Sequence, residues 1–210
     1  MLTSKPAFPC ILLVRHWKEL EPPKARPDKA LSPSKLAKKM LCPAYYPAPF
    51  NEGERLKFLG KHAMAALRVI TRYTGMGYVL ISVERAGNGW RIDLLFLRIV
   101  PSPRIRLVEV KSSRAIRLVH KIQAALYHPV SGADEVAVSN GERDELLSLD
   151  FIQQTLVQAE TTRQFLTSDP ALAARTYTPH PDACYTCGNA SCPFLRDLAA
   201  FPPKKEDGAA

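Results

Sequence analysis

The sequence predicts an α/β (α+β) fold, a central mixed sheet flanked by helices, on three observations. Three strand-like runs, 77–84, 90–99 and 104–111, follow one another with turn signals between them, Gly87-Asn88-Gly89 and Pro101-Ser102-Pro103, as in an antiparallel meander. A segment of helical period, 53–73, precedes them. A helix at 115–127, a strand at 135–139 and a longer helix at 149–166 follow, and helices alternating with strands in this order cover the faces of one sheet.

The elements follow in chain order. Residues 1–31 read as an N-terminal strand and a proline-rich connection, with Cys10 a small buried strand residue just before Ile-Leu-Leu-Val. A short helix runs from Lys35 to about Met40, with Ser32 or Ser34 able to cap it, and stops near Cys42-Pro43 because proline disfavours helical geometry in the residue before it. In 53–73, Leu56, Leu59, Ala63, Leu67 and Ile70 recur at helical spacing, while Lys61, Arg68 and Arg72 fall on another face and His62 lies beside the apolar stripe. The tail, 200–210, is expected to be disordered. No internal repeat or long low-complexity tract interrupts this order.

Composition narrows the partners. The chain has 210 residues, 46% of them hydrophobic, enough for one well-buried core and hence a single active site. Its 29 Lys and Arg against 20 Asp and Glu give a formal charge of +9, which suits a polyanion such as nucleic acid. The start has only Ile11–Val14 as an apolar piece before Arg15, His16 and Lys18, so it lacks a secretory signal pattern, and no run approaches membrane-spanning length. The expectation is a soluble, cytoplasmic protein with no membrane partner. In a reducing compartment five cysteines read as metal ligands before disulfides.

The third strand carries Glu109-Val110-Lys111. Strand side chains alternate, so Glu109 and Lys111 share one face and Val110 takes the other. Pairing with the preceding strand brings Asp93 beside Glu109, and two adjacent carboxylates repel unless a divalent cation such as Mg²⁺ or Mn²⁺ lies between them. Such an ion suits phosphodiester hydrolysis, with the lysine orienting water. The plainer reading is a cross-strand charge pair. Downstream, Gln123 and Tyr127 share a helix face at i, i+4.

Asp93, Glu109-Val110-Lys111 and Gln123-Ala-Ala-Leu-Tyr127 together resemble the PD-(D/E)XK nucleases of the RecB type, and His62 in Gly60-Lys61-His62 is similar to their metal-binding histidine. The resemblance implies that His62, Asp93, Glu109 and the Val110 carbonyl bind metal, that Lys111 assists hydrolysis, and that Gln123 and Tyr127 position DNA. Arg91, two residues before Asp93, departs from the glycine of many relatives without removing a catalytic atom.

Cys184, Cys187 and Cys192 place three thiols within nine residues, with Gly188 easing the turn, and Cys42 offers a fourth from far upstream. Four thiolates serve zinc or an iron-sulfur cluster equally on spacing. One upstream Cys-Pro after Ser32-Pro-Ser34-Lys-Leu36, plus three cysteines after the nuclease motifs, is similar to the iron-sulfur subset of RecB-like nucleases. That likeness implies a cluster, 4Fe-4S more than 2Fe-2S.

A free-standing chain of this length most resembles the fourth CRISPR-associated (Cas) protein family, over about Ser32 to Leu198. The resemblance implies a nuclease domain at 32–199. It also implies exonuclease action on single-stranded DNA ends and trimming of spacer precursors alongside the CRISPR integrase proteins. A repair exonuclease outside CRISPR, a catalytically silent DNA-binding scaffold, and an iron-sulfur redox sensor remain alternatives. Lys61, Arg68, Arg72, Arg114, Arg117 and Lys121 flank the expected site as candidate phosphate contacts. Tyr45, Tyr46 and Phe50 could stack on bases, or cover the cluster.

Overall fold

The structure is a computed structural model that describes residues 31–49, 52–87 and 89–194. The expected N-terminal strand, Cys10, Phe50 and the tail at 200–210 lie outside the described residues.

Helix α1 spans Pro33–Leu41. Pro33 fits its first turn, where no backbone donor is needed, and Ser32 takes the N-cap position without a side-chain cap bond. Cys42 closes it, its N–H donating to the Lys38 carbonyl at 2.9 Å. Helix α2 is Glu52–Gly75, and the meander follows as β1, Tyr78–Gly87, β2, Trp90–Arg98, and β3, Arg104–Val110. Helix α3, Leu118–Ser131, then carries the chain back so that β4, Glu135–Ser139, lies parallel to β3.

Helix α3 starts three residues later than expected and runs past Tyr127, because it ends only where Gly132 adopts the left-handed conformation. Strand β5, Asp144–Leu146, pairs antiparallel with β4 and completes a mixed sheet in the order β1-β2-β3-β4-β5. Helix α4 spans Leu149–Ser168, followed by two short helices, α5 at Pro170–Arg175 and α6 at Pro181–Cys184. The sequence reading missed β5, α5 and α6, which are too short to establish a period.

Helices cover both sheet faces. On one side Ala65, Val69 and Tyr73 of α2 pack on Leu94, Phe96, Val108 and Val110. On the other, Ala124, Ala125 and Tyr127 of α3 and Ile152 of α4 pack on Ile92, Leu95, Leu107, Val136 and Val138. A third cluster, Leu36, Ala37, Val119, Ile122, Leu126 and Ala159, fastens α1 to α3 and α4. Each large apolar side chain buried in this way contributes about 1.5–3 kcal/mol.

The face expected for α2 is corrected. Leu56, Leu59 and Leu67 are exposed, Ala63 is exposed with them, and only Ile70 of the expected stripe is half-buried. The buried stripe is instead Ala65, Val69 and Tyr73 at i, i+4 and i+8. An apolar pattern gives the period of a helix, whereas its neighbours decide which of two apolar faces is covered. Among the described residues no helix is long and apolar enough to cross a membrane.

Candidate functional site

Interior strand β2 is buried on both faces from Ile92 to Phe96, and Asp93 sits inside that apolar run at 7% exposure. Glu109, near the end of β3, is 2% exposed. Burying two carboxylates is costly unless their oxygens are satisfied, so their partners define the site. Oδ2 of Asp93 accepts from the backbone N–H of Val110 at 2.8 Å. Oε1 of Glu109 accepts from Lys111 Nζ at 2.6 Å and from Gln123 Nε2 at 2.7 Å. Lys111 Nζ also donates to Gln123 Oε1 at 3.0 Å, and Gln123 Nε2 lies 3.3 Å from the Tyr127 hydroxyl. From α2, Nε2 of His62 stands 3.4 Å from Oδ1 of Asp93.

The fold thus gathers His62, Asp93, Glu109, Lys111, Gln123 and Tyr127 from four elements and the residue after β3. Two polar atoms are left over: Glu109 Oε2 and His62 Nδ1 are buried with no hydrogen-bond partner. Burial pushes the Glu109 carboxyl up, with Asp93 adding to the shift and Lys111 opposing it. The hydrogen bond to Asp93 raises His62, against the effect of burial. Burial and the two nearby carboxylates push Tyr127 up, so its hydroxyl stays protonated and can donate.

Two carboxylates with an oxygen to spare are hard donors that suit Mg²⁺ or Mn²⁺, and the imidazole beside them is a softer, borderline donor. Among the described residues, however, no three His, Cys, Asp or Glu side chains are gathered so as to hold a metal ion as they stand.

The four cysteines Cys42, Cys184, Cys187 and Cys192 line one pocket with Tyr45, Tyr177 and Ala183, all four as free thiols. Two chain segments pinned together build it. Ala48 N–H donates to the Thr186 carbonyl at 3.1 Å, Gly188 N–H to the Tyr46 carbonyl at 2.7 Å, and Asn189 Nδ2 to the Ala44 carbonyl at 3.0 Å. Gly188 matters here for close approach, since a Cβ on it would stand 2.8 Å from the Ala48 Cα. Burial raises the Cys184 thiol, and the other three cysteines add to the rise. Sulfur donors of this number suit zinc or iron.

Tyr45 is buried beside the thiols, its hydroxyl 3.1 Å from both Lys38 Nζ and the Thr186 carbonyl, so it covers that pocket and is not available to stack on a base. Tyr46 is exposed.

The expected phosphate contacts divide. Arg72 turns inward, donating to the Gly141 carbonyl at 3.0 Å and Ser139 Oγ at 3.1 Å and pairing with Asp144; Lys121 pairs with Glu145. Arg117 lies over the Tyr185 ring, 5.4 Å from its centroid. Lys61, Arg68 and Arg114 line a second cleft together with Ser112, Ser113, Asn140 and Glu142. The sequence reading missed those last four, although Asn140-Gly141 is a turn signal directly after β4. It also missed His120, held down at about 3 by burial and by the charges of Lys111, Arg117 and Lys38. A further oversight was Asp182, whose Oδ2 accepts from Val119 N–H at 3.3 Å and docks the cysteine segment on the first turn of α3.

No family model matches the chain, and no curated protein matches it. Among solved structures it is similar to SSO0001, with a TM-score of 0.33 and 14% sequence identity over 84% of this chain and 91% of that one.

Proposed function

We propose that the chain is a Mg²⁺- or Mn²⁺-dependent deoxyribonuclease, an exonuclease that hydrolyses phosphodiester bonds at single-stranded DNA ends, on a PD-(D/E)XK nuclease core. The observation that carries the reading is the buried carboxylates of Asp93, bonded to the Val110 N–H, and Glu109, tied to Lys111 and Gln123, with Glu109 Oε2 and His62 Nδ1 left unpartnered. A plain cross-strand charge pair would satisfy its carboxylate fully and would not draw in a helix glutamine.

His62, Asp93, Glu109 and the Val110 carbonyl would hold the cation. Bound there, it would lower the pKa of an attacking water and offset charge developing on the scissile phosphate. Lys111 Nζ, held by Glu109 and Gln123, is placed to orient that water and to stabilise the same charge. Gln123 fixes the lysine, and the protonated Tyr127 hydroxyl can donate to a phosphate or sugar oxygen.

Cys42, Cys184, Cys187 and Cys192 are read as ligands of an iron-sulfur cluster, 4Fe-4S in preference to 2Fe-2S, in a structural role that closes the cysteine segment over α1 and α3. A role in CRISPR adaptation, trimming spacer precursors beside the integrase proteins, follows from the sequence resemblance, and the genomic neighbourhood of the coding sequence separates it from DNA repair.

The test compares anaerobically purified wild type with Asp93→Ala on end-labelled single-stranded DNA with Mn²⁺, recording iron content and visible spectrum. Loss of cleavage in the variant, with iron retained in both, is the expected result. Equal cleavage by both proteins, or none by either, overturns the nuclease reading; an iron-free, zinc-bearing protein overturns the cluster reading alone.

A further inference from the structure

Helix α2 has two flanks, and they face opposite edges of the sheet. Arg68 and Arg72 mark one of them. Arg72 bonds Ser139 Oγ and the Gly141 carbonyl at the end of β4 and pairs with Asp144 of β5, and Arg68 pairs with Glu142. Ala66 and Ile70 mark the other, half-buried at the margin of the core cluster together with Leu80 of β1. At 3.6 residues per turn, Ala66, Leu59, Ile70, Ala63, Leu56 and Leu67 follow one another round this second flank within about 100°. Of the six, only Ala66 and Ile70 are half-buried, and the rest are exposed.

The sheet stops beneath this flank. Among the described residues β1 pairs with β2 alone, which makes it the edge strand. Val83 stands opposite Leu94, a member of the cluster under α2, so it points to the α2 face, and it is more than half exposed. Val79 is exposed on the other face. A ten-residue edge beside an apolar helix flank is the setting for one more strand. The backbone of such a strand pairs with β1, and alternate side chains cover Ala63, Leu67 and Val83.

The edge itself is irregular, which narrows the choice of occupant. The register shifts between Leu80 and Ser82, and Glu84 adopts φ 50°. A short strand can pair to one side of that bulge, whereas two copies of β1 would have to accommodate two bulges in one ladder.

This chain carries a short run of the required kind. Phe8-Pro9-Cys10-Ile11-Leu12-Leu13-Val14 is apolar throughout, as suits a strand covered on both faces, and Pro9 precedes the run where a strand start tolerates proline. The segment 15–30 that joins it to Leu31 can reach up to about 55 Å, well beyond the roughly 20 Å width of five strands.

We propose that residues 10–14 dock as a sixth strand on the outer edge of β1, against the exposed apolar flank of α2. The docked strand also steadies the part of α2 ahead of Ala65, where no described residue is buried and where His62 sits.

The experiment follows hydrogen exchange and pulsed iodoacetamide labelling of Cys10, both read by peptide mass mapping, on the full chain at low and high concentration. The proteins are wild type, Leu12→Asp/Leu13→Asp, Leu67→Lys/Val83→Lys, and Val157→Asp on exposed α4 as a control. Leu67 and Val83 are both exposed, so their replacement leaves the described core intact. In wild type the amides of 78–83 and the Cys10 thiol should be protected at either concentration. Leu12→Asp/Leu13→Asp should speed exchange of those amides by at least about tenfold while the amides of β3 and β4 stay as they were. Leu67→Lys/Val83→Lys should speed Cys10 labelling by a similar factor, and Val157→Asp should change neither.

Cys10 labelled as fast in wild type as in Leu67→Lys/Val83→Lys, or β1 amides indifferent to the change at Leu12 and Leu13, would overturn the docking. Protection of β1 that survives Leu12→Asp/Leu13→Asp and grows with protein concentration would assign the edge to a second copy of the chain instead.

Discussion

The carboxylate site and the thiol pocket are built from different kinds of chain. Asp93 and Glu109 stand on adjacent strands inside a five-stranded sheet, and Gln123 and Tyr127 on a 14-residue helix packed against it. Cys42 caps one helix, Cys184 ends a four-residue helix, and Cys187 and Cys192 lie in turns, joined to residues 44–48 by a few hydrogen bonds and one isolated bridge between Pro47 and Cys187. The sheet fixes its carboxylates whether or not an ion is present. The turns close over a small apolar cluster, Cys42, Ala44, Tyr45 and Ala183, and under the proposed function a metal centre would add to that closure. One region is thus held by the sheet, and the other by short segments closed over a small apolar cluster.

That contrast breaks most sharply at Glu109. Glu109→Gln should lower cleavage of end-labelled single-stranded DNA by about 100-fold or more while the protein still folds with a lowered melt, because the amide keeps the shape and an acceptor oxygen but leaves the Lys111 ammonium without its carboxylate. Retained cleavage would remove Glu109 from the chemistry.

Cys187→Ser should behave in the opposite way. Visible absorbance and iron fall, limited proteolysis cuts within 176–192, and the melt drops by several degrees, each kcal/mol being about 2–4 °C in a chain of this size. Cleavage at low temperature should persist at a reduced level. Full protease resistance in the variant would show that the turns close unaided.

Gly188→Ala sharpens the same point without touching a ligand. Its Cβ would collide with the Ala48 backbone, and overpacking of this kind costs about 1–3 kcal/mol, read as a lower melting temperature with the metal content retained.

The smallest effect concerns pH. Burial raises Glu109 from its ordinary 4.5 to about 7. Its contribution to the ion-free protein is therefore full below the ordinary value and is lost as pH rises through about 7. A divalent cation binds the ionised form, so the gain in melting temperature on adding Mn²⁺ should be larger at about pH 8 than at about pH 5.5. An equal gain at both would argue against Glu109 as a ligand.

Much of this was legible in the sequence. The meander, β4 and α4 were read within a few residues because their patterns are long or bounded by Gly and Pro. The residue groups of the two candidate sites were also visible, since Glu109-Val110-Lys111 and three cysteines within nine residues are dense local patterns. The buried face of α2 was not, because apolar residues occupy two of its faces and packing on Phe96 and Val108 decides between them. Nor was the fate of the basic residues: Arg72 and Lys121 are as basic in sequence as Lys61, yet Asp144 and Glu145 of an unpredicted three-residue strand engage them.

By itself, then, the sequence determined the succession of elements and the residue types available for two sites, because alternation, helical period and cysteine spacing are properties of neighbouring positions. The tertiary structure alone decided that Asp93 receives the Val110 N–H and that Glu109 keeps one oxygen free. It also decided that Asn140 and Glu142 line one cleft with Lys61, Arg68 and Arg114. Those outcomes depend on register and on which distant groups arrive first at a shared hydrogen-bond partner, and no local pattern encodes that competition.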